Sequence, residues 1–164
     1  MSLLCWNCRG AGKPATVREL RDMTRQFPPS IACILETQIE GSRVESIAGS
    51  LGYNKSFAVS SSGRSGGLCV YRKNSVALSL RKLSQYHIDM EVKEGKDPWR
   101  LTCKYGESNR GWRYKTWDIM RFLKVDSDLP WLCIGDFNEV LRREEQFGPN
   151  ERDMSQINAF REAV

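Results

Sequence analysis

WLCIGDFNEV, residues 131–140, is the stretch of sequence that decides the fold. Its apolar run WLCI ends at Gly135, and two polar side chains, Asp136 and Asn138, follow at once. A short apolar run bounded by turn residues predicts a buried strand. Taken alone, the polar residues could form an Asx-type turn after the strand. The question is whether other strands of the chain end in the same way.

Three other apolar runs share this design. LLCWN ends in Asn7, ACILET contains Glu36 near its end, and LTCKYG contains Tyr105 and is followed by Asn109 and Arg110. If these strands end at one edge of the fold, their polar groups gather there with those of the first stretch. Carboxylate and amide oxygens suit Mg²⁺, which takes few protein ligands and keeps waters and substrate oxygens. Each of these residues taken singly could be an ordinary charged group at a strand end or a packed aromatic ring. The prediction of a metal site therefore depends on the repetition of the same pattern in several strands.

Length and composition describe one globular domain. The chain has 164 residues, of which 40% are hydrophobic and 27% are charged. Its formal net charge is +5 and its sequence pI is about 9.0. This excess of positive charge suits a polyanionic partner, but an ordinary basic surface explains it equally well.

Cysteine usage and hydropathy exclude several classes of protein. Six cysteines lie mostly inside apolar runs, where a free thiol behaves as a small buried hydrophobe. Cys5 and Cys8 have CxxC spacing, but no second CxxC follows, so a zinc or redox site is not expected. The N-terminal apolar run is too short for a secretory signal, and no stretch is long enough to span a membrane. We therefore expect an intracellular protein.

The N-terminal third predicts strands alternating with helices. Capping-box patterns at residues 16–19 and 42–45 predict the starts of two helices. The first helix is expected to end at Pro28-Pro29 and the second at Gly52.

The remainder is rich in predicted strands, at residues 53–59, 66–72, 76–83, 87–92, 99–105 and 130–137. HIDMEV and WRLTCK alternate apolar and polar residues, which predicts a sheet with one solvated face. Apolar spacing predicts a helix over residues 112–123. Asp153 is expected to cap a last helix whose apolar face is formed by Ile157, Phe160 and Val164.

These motifs carry a resemblance to a known family. WNCRG, LET, the GG of GGLCVY, YG followed by NR, and above all IGDFNE resemble the endonuclease/exonuclease/phosphatase superfamily, which is DNase I-like. In detail, the segments MSLLCWNCRGAGKPATVRELRDM and PWLCIGDFNEVLRREEQFG resemble the endonuclease domain of plant LINE-type, non-LTR retrotransposons, which is similar to apurinic/apyrimidinic endonucleases. The resemblance runs over nearly all 164 residues.

The resemblance implies a four-layered α/β sandwich with two central mixed sheets, and Mg²⁺- or Mn²⁺-dependent hydrolysis of DNA phosphodiesters. It implies no organic cofactor and no membrane partner. Glu36 would be the metal ligand, with Asn7 beside it, and Tyr105 would face the scissile phosphate. Asp136 would orient the attacking water, and Asn138 would donate to the phosphate oxygens. Substrate contacts are expected from Asn7, Asn109 and Arg110.

The sequence departs from the family pattern in two places. Arg9 stands where many relatives carry an acidic residue, which argues against a second metal site there. The family also ends with an acidic strand and a Ser-Asp-His element, and this chain contains neither. Its one histidine, His87, lies in a strand well before GDFN. We therefore expect residues 1–164 to be the N-terminal two-thirds of the domain, incomplete at the C-terminus.

Two functions follow from these expectations. The first is a DNA-cutting phosphodiesterase inherited from a retroelement, with little or no activity in this chain. The second is a non-catalytic remnant that binds nucleic acid, or a gene fragment without function. Its binding surface would be a basic rim of Arg9, Lys13, Arg64, Arg110, Arg113 and Lys115, with Trp112 and Tyr114 interleaved. A DNA substrate would suggest a nuclear location.

Overall fold

The computed structural model describes residues 1–63, 65–93, 95–148 and 151–164. The strands in this part of the chain are β1 (Leu3–Asn7), β2 (Ile31–Leu35), β3 (Lys55–Val59), β4 (Leu68–Arg72), β5 (Ala77–Ser84), β6 (His87–Lys93), β7 (Trp99–Tyr105) and β8 (Trp131–Asp136). The α-helices are α1 (Pro14–Gln26), α2 (Gly41–Ser46), α3 (Arg113–Val125) and α4 (Met154–Ala163). Short 3-10 helices lie at Ala48–Leu51, Arg110–Trp112 and Arg143–Glu145.

Two mixed four-stranded sheets form the first of two compact units, which comprises Met1–Tyr105 and Leu129–Asp136. The strand order is β1-β2-β4-β3 in one sheet and β5-β6-β7-β8 in the other. Each sheet contains one parallel pair, β1 with β2 and β7 with β8, and its other pairs are antiparallel. The predicted α/β fold with two mixed sheets is confirmed.

The two sheets bury one core between them. Its side chains come from both sheets, as Ile31 and Leu35 of β2 and Ile88, Met90 and Leu101 of β6 and β7 show. A second apolar cluster lies on the other face of the first sheet, where α1 and α2 cover it. The continuous apolar run of β2 is therefore explained by burial on both faces, and all five of its residues are buried.

The second compact unit comprises Gly106–Asp128 and Phe137–Val164, and it contains α3 and α4. The ring of Phe160 lies 6.4 Å from that of Trp117 and 5.7 Å from that of Phe137, measured between centroids. As predicted, Asp153 caps α4, because its carboxylate accepts a hydrogen bond from Ser155 N at 2.9 Å. The predicted apolar face was wrong at its last position, since Ala163 is buried whereas Val164 is exposed.

Both capping-box predictions were wrong. The first helix begins earlier, at Pro14, and Lys13 stands at its N-cap without a side-chain hydrogen bond. Proline suits the first helical position, because its φ is already helical and its missing N–H would be unpaired there. In the second helix, Glu40 occupies the N-cap position and Ser42 lies inside the helix. The first helix-stop prediction was correct, because α1 ends before the two prolines. The second was correct only in part: α2 ends at Ser46, and Gly52, with a left-handed φ of +83°, ends the 3-10 helix Ala48–Leu51 that follows it.

The prediction of a solvated sheet face was also wrong. Four polar residues of β6 and β7 are buried, namely Asp89, Arg100, Thr102 and Lys104, whereas Glu91 is half-buried and Lys93 is exposed. Arg100 Nε and the Thr102 hydroxyl donate to the Asp89 carboxylate at 2.8 and 2.5 Å, and the Arg100 guanidinium lies over the Trp131 ring. Polar groups can be buried when they satisfy one another, so alternating polarity did not report exposure to water here.

All six cysteines are free thiols, and four of them are buried. In the described part of the chain, no helix has the length and hydropathy needed to cross a membrane.

Candidate functional site

Four of the predicted site residues stand at the ends of the two parallel strand pairs. Asn7 is the last residue of β1, and Glu36 directly follows β2. Since Asn7 pairs with Leu35 in the parallel register, Glu36 lies one step beyond this pair. In the other sheet, Tyr105 and Asp136 are the last residues of β7 and β8 and pair with each other. Each parallel pair therefore delivers two polar side chains to its carboxyl end.

Hydrogen bonds connect these residues across the two sheets. Asn7 Nδ2 donates to the Asp136 carboxylate at 3.0 Å. The Tyr105 hydroxyl donates to the Glu36 carboxylate, and its ring belongs to the core between the sheets. The four side chains therefore form one group, in which each sheet supplies a carboxylate and a hydrogen-bond donor.

The loop backbone that carries this group is conformationally strained. Arg9, Glu36 and Gln38 adopt left-handed conformations, with φ of +48°, +52° and +55°. Such conformations cost about 1–3 kcal/mol each in non-glycine residues and persist only where the surroundings enforce them. Here the β1–β2 ladder continues past the strands, because Gly10 N donates to Glu36 O and Ala11 N donates to Thr37 O, both at 2.8 Å. Glu36 is thus held on a fixed backbone.

Gly135, in front of Asp136, permits a close approach of β7 and β8. A Cβ atom at this position would lie 1.8 Å from the carbonyl oxygen of Lys104, and its φ of +149° is one that side-chain-bearing residues rarely adopt. Glycine is therefore required at this position of GDFN because the two strands pack so closely there. The close packing brings Asp136 beside its register partner Tyr105.

The donor set around this group fits a sparsely ligated hard cation. Two carboxylates, those of Glu36 and Asp136, and the amide oxygen of Asn7 are partly exposed at the strand ends. Among the described residues, no three His, Cys, Asp or Glu side chains are grouped so that they could hold a metal. One or two carboxylates with open positions for water and substrate oxygens suit Mg²⁺.

Asn138 lies in the second unit and is held by its own backbone turn. Its φ is +53°, and its Nδ2 donates to Gly106 O at 2.7 Å. Gly106 also packs tightly, because a Cβ atom there would lie 2.1 Å from the carbonyl oxygen of Phe137. The amide of Asn138 therefore has a structural partner in addition to the phosphate that was predicted for it.

Sequence reasoning missed the ion pair beside Asn138. The Glu139 side chain is fully buried, and its carboxylate accepts a hydrogen bond from Arg113 at 2.9 Å. Arg152 approaches the same carboxylate at 3.7 Å. Burial lowers the pKa of Arg113, and the Glu139 carboxylate opposes that shift. The only sequence signal for this pair was the position of Glu139 in the motif IGDFNE.

Asn109 and Arg110, predicted to bind substrate, also have local partners. Asn109 Oδ1 accepts a hydrogen bond from Gly111 N at 3.0 Å and so caps the 3-10 helix. Arg110 donates to Gln156 at 3.2 Å and lies 3.4 Å from the carboxylate of Asp153. The side chain of Arg110 remains more than half exposed.

The prediction of a basic rim was wrong for one of its residues, Arg113. Arg113 is buried against Glu139 instead of facing solvent. Arg9 and Lys13 are exposed in the first unit, and Lys115 is exposed in the second. Arg64 lies outside the described residues.

His87 is a structural strand residue, as predicted. It begins β6 opposite Lys104, and Ser84 Oγ lies 2.7 Å from its Nδ1. Burial lowers the pKa of His87 to about 4. The neighbouring Ile88 and the site residue Tyr105 contribute to the core, so strand alternation turns His87 and Lys104 to the opposite face of the sheet from Tyr105.

Residues 4–153 match the model of the Endonuclease/Exonuclease/phosphatase family. The chain belongs to this family. No curated protein matches the sequence.

Solved structures with the family fold resemble the chain closely in shape and weakly in sequence. The AP endonuclease LMAP from Leishmania major has a TM-score of 0.68 at 16% identity, with 99% of this chain and 65% of that chain covered. An AP endonuclease from Archaeoglobus fulgidus has a TM-score of 0.67 at 14% identity, with 99% and 68% covered. Humanized D. rerio TDP2 has a TM-score of 0.63 at 13% identity, with 85% and 67% covered. The chain thus spans about two-thirds of the length of these proteins, and the likeness establishes a DNase I-like fold.

Proposed function

We propose that this family member is a divalent-metal phosphodiester hydrolase domain whose substrate is DNA. The observation that carries the proposal is the group of Asn7, Glu36, Tyr105 and Asp136, joined across the two sheets by hydrogen bonds. Two carboxylates, one at a carboxyl strand end of each sheet, with an amide and a phenol beside them, suit the attack of water on a phosphate ester. Three matching structures, two AP endonucleases and a Neisseria 3' phosphatase bound to product DNA hairpin, support DNA as the substrate.

Glu36 and Asn7 would hold a Mg²⁺ or Mn²⁺ ion, which supplies Lewis-acid stabilisation of charge on the phosphate oxygens. Asp136 orients the attacking water and accepts its proton, while the water oxygen bonds to phosphorus and the ester bond breaks. Asn7 Nδ2 fixes the Asp136 carboxylate for this task. Tyr105 fixes the Glu36 carboxylate and presents its hydroxyl beside the phosphate.

Asn138, Asn109 and Arg110 are proposed as donors to the substrate phosphates. Asn109 and Arg110 are exposed, and the side chain of Arg110 is more than half exposed, whereas Asn138 is half-buried. Asn138 would have to share its amide between the phosphate and Gly106 O.

The origin of the domain is proposed from its motifs. WNCRG and IGDFNE, together with the order of LET and YG between them, support descent from a plant LINE-type retroelement endonuclease. Residues 1–164 would correspond to the N-terminal two-thirds of such a domain. A DNA substrate is consistent with a nuclear location.

We further propose that residues 1–164 by themselves cut DNA slowly or not at all. The leaving oxygen needs a proton, and the one histidine of the chain has a lowered pKa and faces away from Tyr105. Catalytic groups that act as a unit lose most of their effect when one is absent. The same observation favours the second candidate function, a domain that binds DNA without cutting it.

A plasmid-nicking assay tests both candidates. Supercoiled plasmid is incubated with Mg²⁺ or with EDTA, using the wild type, Glu36→Ala and the control Glu19→Ala, which changes an exposed carboxylate on α1. The expected result is little or no nicking by any variant, together with DNA binding that weakens as salt is added. Mg²⁺-dependent nicking that Glu36→Ala abolishes and Glu19→Ala preserves would refute the slow-cutting proposal and support Glu36 as the metal ligand. Absence of both nicking and DNA binding would refute DNA as the substrate.

A further inference from the structure

The segment NRGWRYK, residues 109–115, combines exposed aromatic rings with positive charge. Trp112 is 54% exposed and Tyr114 is 50% exposed, whereas the other four tryptophans are buried or half-buried. The segment contains three basic residues and no acidic residue. An exposed tryptophan in a basic setting is typical of surfaces that bind nucleic acids by stacking.

The ring of Trp112 is already engaged by a cation. Lys115 Nζ lies 4.6 Å from the centroid of the ring. A cation over a tryptophan face is attracted by the electrons of the ring, and this contact favours one orientation of the Trp112 ring. The lysine occupies one face of the ring, while the high exposure of Trp112 leaves much of the remaining surface in contact with water.

The backbone beneath the ring is fixed. Trp112 N donates to Asn109 O at 3.0 Å, and Asn109 Oδ1 accepts from Gly111 N, so the 3-10 turn is capped. Arg110 is tied to α4 through Gln156. A ring displayed on a rigid turn loses little conformational entropy on binding, which favours affinity.

The three basic side chains of the segment differ in availability. Arg113 is buried and paired with Glu139. Arg110 is exposed, and the nearby carboxylate of Asp153 offsets part of its charge. Within the described part of the chain, Lys115 has no carboxylate within ion-pair distance, so its charge is available to an anion beside the Trp112 ring.

We propose that this segment binds single-stranded DNA, with Trp112 stacking on an unpaired base and Lys115 and Arg110 contacting the flanking phosphates. The ligand class rests on the proposed function, which takes DNA as the substrate. A paired base within a duplex is covered on both faces by its neighbours, so one exposed ring can stack only on a base that is unpaired or flipped out. One ring with a cation over one of its faces matches one nucleotide, whose base stacks on the ring and whose phosphate pairs with the cation.

Fluorescence anisotropy of a labelled oligodeoxythymidylate tests the proposal in EDTA, where metal-dependent cleavage cannot interfere. Trp112→Ala is expected to weaken binding about tenfold, and Trp112→Phe should retain most of it because the ring remains. Lys115→Gln should reduce the slope of log affinity against log salt by about 0.7, the value for one phosphate contact on a single strand.

Phe122→Ala is the matched control, because Phe122 is 57% exposed on α3, the helix that follows Trp112, but lies outside the basic segment. It should bind like the wild type. If the wild type binds neither single strands nor duplex, the DNA substrate itself is refuted. If the wild type binds DNA and Trp112→Ala matches Phe122→Ala, the stacking site is refuted while the proposed function stands. Tighter binding to duplex or to RNA than to the single strand would also overturn it.

Folding of each variant is checked by circular dichroism and urea unfolding. If Trp112→Ala does not fold, Trp112→Phe and Lys115→Gln decide the question. An unchanged salt slope in Lys115→Gln then counts against the site.

Discussion

Replacing Gly135 by alanine tests the close packing of β8 against β7, the two strands that end in Asp136 and Tyr105 of the candidate site. A Cβ atom at this position would lie 1.8 Å from Lys104 O and 2.7 Å from the adjacent carbonyl carbon, whereas real Cβ atoms stay beyond 3.0 Å. The β7 backbone would therefore have to move by about 1.2 Å relative to β8. The clash involves main-chain atoms of a register pair, so no side-chain rotation can relieve it.

The free-energy cost has two sources. The φ of +149° is nearly restricted to glycine and costs roughly 1–3 kcal/mol in alanine. Separating the strands at this pair weakens one or two backbone hydrogen bonds, each worth about 1 kcal/mol. The sum, about 2–5 kcal/mol, is a large part of the 5–15 kcal/mol by which domains are typically stable. A shift of this size would also break the 3.0 Å hydrogen bond from Asn7 to Asp136.

Urea unfolding followed by tryptophan fluorescence measures this cost. Gly148→Ala is the matched control, because Gly148 has a φ of +123° but no atom within 4 Å of the point that an added Cβ would occupy. The control should lose only the conformational cost, about 1–3 kcal/mol. If Gly135→Ala unfolds at the same urea concentration as Gly148→Ala, the close approach of β7 and β8 is not what requires glycine in GDFN.

Two further predictions concern buried charge. Burial lowers the pKa of His87 from 6.5 to about 4, so as the pH falls the unfolded chain takes up a proton on this side chain before the folded chain does. The contribution of neutral His87 to the free energy of unfolding should therefore be fully present above pH 6.5, and roughly 3 kcal/mol of it should be lost as the pH falls to 4. Urea titrations across this pH range should show a smaller fall in His87→Gln. Glu139→Gln should cost about 3 kcal/mol, because it leaves the buried Arg113 guanidinium without its counter-charge, and Arg113→Met in the same chain should recover part of the loss. The exposed carboxylate of Glu151 provides the control: Glu151→Gln should cost less than about 1 kcal/mol, and equal losses would contradict the argument.

The errors of the sequence-based predictions have specific physical causes. Thr16 was predicted to cap the first helix, but this helix begins two residues earlier, at Pro14. The prediction failed because proline is itself well suited to the first helical position. Asp89 and Arg100 were predicted to face water, since local alternation reports polarity and cannot show that the two side chains neutralise each other. In both cases a residue outside the pattern used for the prediction decided the result: Pro14 set the start of the helix, and Arg100 allowed Asp89 to be buried.

The amino-acid sequence by itself determined the strands, the helices and the order of polar residues at the strand ends. These depend on local patterns of apolar, proline and glycine residues, so they can be read along the chain. Only the tertiary structure decided that Asn7 meets Asp136 and that Tyr105 meets Glu36, since these partners are 129 and 69 residues apart. Contacts of this kind depend on sheet order and register, and on the tight backbone approach at Gly135, which no local pattern specifies.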